Sequence, residues 1–511
     1  MELYKVSTKY KLCGSDNLYL RIRSGAIERL EDVYILQPDT EISTDTYFNL
    51  FSSSKYGTHT SAKKITIMTV VSGDIEVELR YFTKHTDKRV DSRKITSDAE
   101  AEVSFTFDIS DLDDSEPVCH YILYRSIKAS KIYSFGSYMA DSVPNLVNLG
   151  VVICTFRREL RAMETLDRIA EIMLSEEYVT PELTVYLVDN GKTIENQDIR
   201  YDFVKLIPNE NTGGSGGYTR GMLEARNEQK THILLMDDDV YIDPNVIYKT
   251  VNFISILNED RADSFILGGM LLPESPTVQY EAGAEWLPDF RGRKSMLDLS
   301  EKESLLLNDK REPAQYGGWW YQCMPVSATD KLPLPFFIKM DDVLFGIMRM
   351  NNHVVMNGIG IWHDSFESKI NPVVDFYFLR RNGLILDSIF NRRNGFRIGA
   401  YYMRILLHCI KKQGNKEYFF TKMAIEDFLK GPDMFSTVKG EDILSIPVTN
   451  YFEHPDSKNP TAESLLKNNT LKEIHNSIRI CLRLLTEWNS VSENYKKNIH
   501  YYSSEEFWRN I

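Results

Sequence analysis

Val151-Val-Ile-Cys154, a helix-patterned run from about Leu160 to Leu174, and Thr184-Val-Tyr-Leu-Val188 closing on Asp189-Asn190-Gly191 read as strand, helix, strand. A strand that returns through a helix pairs in parallel with its predecessor, and such sheets take ligands at the carboxyl ends of their strands. Thr231-His-Ile-Leu-Leu-Met236 is the next apolar strand, and it runs straight into Asp237-Asp238-Asp239. The middle of the chain is therefore expected to be an α/β domain with its chemistry gathered along one edge of a parallel sheet.

Ahead of that strand stands Asn211-Thr-Gly-Gly-Ser-Gly-Gly217, and a helix-like Tyr218-Thr-Arg-Gly-Met-Leu-Glu-Ala225 follows the glycines. Glycines let backbone N–H groups approach a phosphate closely at the start of a helix. The dinucleotide pattern G-x-G-x-x-G fails, because from Gly214 it meets Thr219. The Walker pattern fails too, since from Gly216 it reaches Gly221 but then Met222 instead of lysine. Dinucleotides and phosphoryl transfer are thereby disfavoured, and the glycine loop with the acidic string describes a nucleotide-sugar site. Alternate side chains of an extended segment share a face, so Asp237 and Asp239 can hold one cation. Mg²⁺ or Mn²⁺ arriving with a diphosphate is the natural counter-charge for three adjacent carboxylates. A ligand-free glycine turn and a solvated acidic turn are the plain alternatives.

Pro335-Phe-Phe-Ile-Lys-Met-Asp341-Asp342 sets a second carboxylate pair after an apolar stretch, and Gly360-Ile-Trp-His363-Asp364 follows it. A carboxylate within hydrogen-bond reach can take the proton of a sugar hydroxyl, and a neutral imidazole is a metal ligand. A base and a third ligand are thus on offer, with a purely structural histidine as the alternative for His363. In Tyr316-Gly-Gly-Trp319-Trp320-Tyr321 the paired tryptophans could form a mobile wall against a sugar ring or pack in a core.

Outward from this centre the texture changes. Residues 1–145 read as a β-sandwich: Ile65–Val71 and Ile75–Phe82 look like two strands of a hairpin turning at Ser72-Gly73-Asp74, with Val103–Ile109 and Tyr121–Tyr124 as further strands. The α/β domain is expected over 146–375 and a helical region over 376–511, where Leu471, Ile474, Ile478, Leu482 and Leu485 recur at helical spacing. Tyr401–Lys412 is basic-ended and reads as a core helix or as one lying on a membrane surface.

A chain of 511 residues has material for two or three domains, and 60 basic against 73 acidic residues, net −13, disfavour a nucleic-acid partner. The six cysteines, at 13, 119, 154, 323, 409 and 481, show no C-x-x-C spacing, so neither a disulfide framework nor a zinc site is signalled and a reducing cytosol fits best. No signal-peptide pattern opens the chain and no stretch approaches 18 consecutive apolar residues, so a soluble or peripheral protein is expected.

Cys154-Thr-Phe-Arg-Arg158, Asp189-Asn190, the Asn211 loop, Asp237-Asp-Asp239, Trp319-Trp320, Asp341-Asp342 and Trp362-His363 stand in the order found in galactofuranosyltransferases. The chain resembles that branch of the inverting family 2 glycosyltransferases, and specifically its polymerising, three-domain kind. The resemblance spans nearly the whole chain and rests most on the Trp-Trp, Asp-Asp and Trp-His combination. It implies an α/β GT-A fold, a Rossmann-like nucleotide-sugar domain, between an N-terminal β-sandwich and a helical C-terminal region. It further implies Asp237, Asp239 and His363 as ligands of Mn²⁺ or Mg²⁺ and Asp342 as general base. Arg158, Asp189, Asn211, Gly213, Gly214 and Asp238 would line the donor, while Trp319, Trp320, Asp341 and Glu281 would contact the acceptor. Arg157 departs from the smaller polar residue usual there, which leaves open which arginine touches phosphate. The implied reaction is inverting transfer of galactofuranose from UDP-galactofuranose to a hydroxyl of a glycan, lipid-linked at the inner face of the cell membrane, by a peripheral homo-oligomer. The alternatives are the same scaffold with UDP-galactopyranose or dTDP-rhamnose, and a non-catalytic carbohydrate-binding protein.

Overall fold

The computed structural model describes residues 1–8, 12, 14–30, 33–174, 182–364, 371–412, 415–446 and 462–510, so Cys13 lies outside the described residues. The other five cysteines are free thiols.

The N-terminal region is a ten-stranded sheet built around two long strands, β1 (Lys64–Phe82) and β2 (Asp87–Asp108). The hairpin expected at Ser72-Gly73-Asp74 is absent. β1 runs through those residues without reversing, and the chain turns only after Phe82. The β1–β2 register slips between Val71 and Gly73, so the glycine is a bulge. Its φ of 104° suits a residue without a β-carbon, and one placed there would overlap Ser130. A Ser-Gly-Asp string therefore bends a strand here, and β1 pairs with residues 130–140 before the bend and 119–126 after it.

The expected parallel sheet is present. β3 (Asn148–Thr155), β4 (Glu182–Asp189), β5 (Val204–Pro208) and β6 (His232–Asp237) pair in parallel in the order β5-β4-β3-β6, with helices α1 (Glu159–Met173) and α2 (Gly213–Asn227) in the connections. The chain steps outward from β3 to β5 and then crosses to the other side of β3, so the strand order reverses between β3 and β6. That reversal opens a crevice beyond their carboxyl ends, where Cys154 stands opposite Asp237. A smaller four-stranded sheet carries β7 (Gly269–Leu272), β8 (Ser275–Glu281) and β9 (Gly360–Trp362). The N-terminal and catalytic regions share one apolar core, which runs from Tyr4 and Phe51 through Val151 and Leu234 to Trp362.

The C-terminal region is helical, with α3 (Gly395–Lys411) packed on the long α4 (Ala462–Tyr502). The helical region expected here is present; on α4, Ile480, Cys481, Leu484, Trp488, Val491 and Tyr495 point inward, while Leu471, Ile478, Leu482 and Leu485 are exposed. Both sets recur at helical spacing, and Trp488 and Tyr495 of the inward set pack on Phe428 of the helix Asn415–Leu429. Among the described residues no helix is long and apolar enough to cross a membrane.

Candidate active site

The crevice between β3 and β6 collects the acidic string. Asp237 ends β6, and the hydroxyl of Tyr218, from α2, donates to its Oδ1 at 2.6 Å. Asp238 is buried, accepts from Thr155 Oγ1 at 2.6 Å and lies 3.4 Å from Arg158 Nη1. Burial pushes its pKa up to about 6 against the pull of the Thr155 bond. Arg158 pairs more tightly with Asp239, at 2.6 Å. Arg157, with φ 56°, instead lies over the Phe156 ring, so the structure sets Arg158 and not Arg157 against the carboxylates.

His363 follows β9 and reaches the same place. An isolated bridge between Tyr241 and Trp362 ties β9 to the segment after Asp239, and Trp362, fully buried against Phe48, anchors the strand. His363 Nε2 then lies 3.5 Å from Asp237 Oδ2 and 3.3 Å from Asp239 Oδ1. Adjacent ligands of an ion bound at about 2.1 Å sit about 3 Å apart, so this donor set fits one divalent cation. Burial by itself would lower the imidazole pKa, but the Asp239 bond and the charges of both aspartates outweigh it and hold it at about 9. A proton on His363 thus supplies the positive charge that the carboxylates demand, and an ion would displace it. Among the described residues no group of three or more His, Cys, Asp or Glu side chains is placed to hold a metal ion as it stands; Asp237, Asp239 and His363 make at most an open half-shell, joined through the two approaches of His363.

The glycine run has another use than the one expected. α2 begins inside it, and its first amides are already engaged: Gly213 N donates to Asn211 Oδ1, Ser215 N to Phe337 O and Gly216 N to Thr212 O. A β-carbon at Gly217 or Gly221 would overlap Cys154 Sγ or Val152, so these two glycines let α2 lie directly on β3. Gly217 and Gly221 thus serve close helix–strand packing, while Gly214, 3.7 Å from Asp341 Oδ2 at its would-be β-carbon, stays open on the crevice side. Asp189 is wholly buried and its carboxylate accepts from the amides of Gly191, Thr193 and Ile194. It therefore shapes the loop after β4, and Asn190 bonds Gly213 O to bring that loop against the glycines.

Asp341 and Asp342 open helix α5 (Asp341–Arg349) after a strained approach in which Phe337, Lys339 and Met340 all adopt positive φ, 73°, 68° and 70°. Asp341 Oδ2 accepts from Ser215 Oγ at 2.8 Å. Burial raises the pKa of both members of the pair, and the charge of Asp341 raises Asp342 further. Glu281, at the end of β8, is pushed up to about 7 by burial, and its charge also acts on Asp342.

The tryptophan pair does not form a mobile wall. Trp320 is buried with its indole N–H on Gly268 O, and Trp319 is buried against Tyr218 and Phe345. Burial favours the core alternative, and only Trp319, whose indole nitrogen has no partner among the described residues, keeps a donor for a ligand.

Thr155, Ser215 and Tyr218 went unread in the sequence. Ser215 and Tyr218 stand three apart in a helix, hence on one face, and that spacing is the one signal they carry.

Residues 150–276 match the family model described as glycosyl transferase family 2. The chain is 27% identical over 441 residues to galactofuranosyltransferase GlfT2 of Mycolicibacterium smegmatis, a match covering 79% of this chain and 66% of that one. It is 28% identical over 434 residues to galactofuranosyltransferase GlfT2 of Mycobacterium tuberculosis, covering 77% of this chain and 66% of that one. The chain thus spans just under two thirds of the length of these curated relatives. Among solved structures, a Pyrobaculum calidifontis mannosyltransferase in complex with GDP-Man and Mn²⁺ overlaps 70% of this chain and 90% of its own at 10% identity, with a TM-score of 0.30.

Proposed function

We propose that this chain, a relative of galactofuranosyltransferases that carries a glycosyltransferase family 2 domain, transfers galactofuranose from UDP-galactofuranose to a glycan hydroxyl with inversion. The observation that carries the reading is one helix, α2, bonded at Tyr218 to the cation-demanding cluster and at Ser215 to the buried Asp341-Asp342 pair. That arrangement supports a donor half and an acceptor half held at a fixed separation. Asp342 takes the proton of the acceptor hydroxyl, and its raised pKa makes it a stronger base than an ordinary carboxylate. The oxygen attacks the anomeric carbon as the bond to UDP breaks, the electron pair leaving on the diphosphate. Mn²⁺ or Mg²⁺ on Asp237, Asp239 and His363 would offset that developing charge. Arg158, Asp238, Asn211, Gly213 and Gly214 line the donor side with Asp189 behind them, and Glu281, Asp341 and Trp319 face the acceptor.

On the same reading the acceptor is lipid-linked and the enzyme works peripherally at the inner face of the membrane, as a homo-oligomer. The exposed Phe396 and Leu407 of α3 and Ile478 and Leu482 of α4, with Arg397, Arg404 and Arg483 also exposed on those helices, support docking on anionic lipid. One assay tests both halves: the chain is given UDP-galactofuranose, UDP-galactopyranose or dTDP-rhamnose, with a synthetic acceptor free or on anionic vesicles. Product mass should grow by whole hexose units only with UDP-galactofuranose, faster on vesicles, and stop when the metal is chelated. Turnover of another donor, or none of the three, rejects the donor assignment; equal rates on vesicles and in solution reject the docking.

A further inference from the structure

A recess of 120 Å³ lies where the N-terminal region meets the catalytic domain. It is far smaller than a nucleotide pocket and of the size that takes one tetrahedral oxyanion. Six cationic side chains line it, Lys55, Arg261, Arg293, Lys294, Lys310 and Arg311, against two lining acids, Asp114 and Glu312; outside the lining, Arg293 pairs with Glu285, Arg311 with Asp113 at 3.2 Å and Arg261 with Asp260 at 3.5 Å. Asp114 is already shared by Lys55 at 2.8 Å, His59 at 3.1 Å and Arg311 at 3.2 Å. Lys294 is buried, yet its ammonium donates to the carbonyls of Leu307, Asn308 and Lys310 and not to a carboxylate. The excess of positive charge acts on the histidines there: burial lowers His59 and His353 first, and Lys55 lowers both further. Burial and then the Lys55 charge lower the Lys294 pKa to about 7 against the pull of Glu312, Asp309 and Asp114, and an anion in the recess would favour its charged form.

Two buried nitrogens on the lining lack a hydrogen-bond partner among the described residues, Arg293 Nε and His59 Nδ1. His59 is only 5% exposed. Its Nε2 faces the Asp114 carboxylate, which sets the proton on Nε2 and leaves Nδ1 an acceptor. A ligand that fits must therefore offer oxygens to the guanidinium groups and one O–H to Nδ1. Hydrogen phosphate has both; sulfate has only the oxygens.

We propose that this recess is a phosphate site, taking hydrogen phosphate either as the free ion or as the terminal group of a phosphate ester, and that its occupancy joins the N-terminal region to the catalytic domain. It is independent of the transfer reaction. The test is thermal unfolding of the full chain, with chelator present, titrated at constant ionic strength with inorganic phosphate, sulfate or a sugar phosphate. Inorganic phosphate should raise Tm by about 3 °C or more. Sulfate should need at least tenfold higher concentration for the same shift. Arg261→Gln should lose the shift, and His59→Gln should keep Asp114 bonded but lose the preference for phosphate over sulfate. Arg158→Ala, on the donor side, should retain both. A larger shift with the sugar phosphate than with the free ion assigns the esterified source, and the reverse assigns the free ion. The proposal is overturned if phosphate gives no shift, if sulfate matches it, if Arg261→Gln leaves it intact, or if Arg158→Ala abolishes it.

Discussion

Two acidic clusters face the crevice, and they differ in the partners that surround them. Asp237, Asp238 and Asp239 are threaded with partners, Arg158 and His363 among them, so that Asp239 sits below the usual carboxylate range although burial works the other way. Asp341 is buried and Glu281 and Asp342 are half-buried, and all three are raised, although the Lys339 charge works against this at the aspartate pair. Asp239 is thus the carboxylate held charged, while Asp238 beside it is raised to about 6, as the members of the second cluster are raised. The surroundings of each carboxylate set its charge state.

The sharpest way to break this contrast is to remove the base. Asp342→Asn should lower kcat by about 10²–10⁴-fold, the usual worth of general base catalysis, while UDP affinity stays unchanged. Steady-state rates alongside calorimetric UDP binding decide it, and a wild-type rate would reject Asp342 as base. The donor cluster should respond differently, through affinity. Tyr218→Phe removes the hydroxyl bonded to Asp237, a bond that orients one ligand of the half-shell. Loss of such an outer partner should weaken Mn²⁺ binding by about 10–100-fold, read by metal titration of activity. A variant with unchanged metal dependence would make Tyr218 a packing residue only.

Much of this was legible in the chain. Val151–Cys154 and Thr184–Val188 are buried on both faces of a parallel sheet, which makes them continuous apolar runs, and polar strings can then follow only at their ends. Asp237 and Asp239 stand out in the sequence for the same reason, and His363, distant in the chain, lies 3.5 and 3.3 Å from them in the structure. The misreadings share a cause, since one local pattern served two tertiary uses. Ser72-Gly73-Asp74 is turn-like, yet a bent strand needs the same glycine. Leu471 to Leu485 recur at the spacing of a helix, which is present, but α4 has a second apolar stripe, and packing on several helices, Phe428 among their residues, selects between them. Gly217 and Gly221 of α2 sit in a ligand-like glycine run, yet both also make room for side chains of β3. Ser215 and Tyr218 had no reading because each acts on a residue distant in sequence.

The smallest effect expected is also the one that separates the two clusters most cleanly. Burial raises the Asp342 pKa first, and the neighbouring Asp341 charge raises it further. A base must be unprotonated to act, so activity should fall as pH drops through that raised value, well above the ordinary aspartate value of about 3.9. Asp341→Asn removes the neighbouring charge and leaves burial in place. The Asp342 pKa then falls, the unprotonated form survives to lower pH, and the acid limb of kcat/KM should move down by about one pH unit. Lowering the charge on the donor side predicts the contrary: Arg158→Ala leaves Asp342 untouched, so the limb should hold its place while donor KM rises. A limb that moves with Arg158 and not with Asp341 would mean that the titrating group belongs to the metal-binding cluster, and the division of labour between the two sets of carboxylates would have to be redrawn.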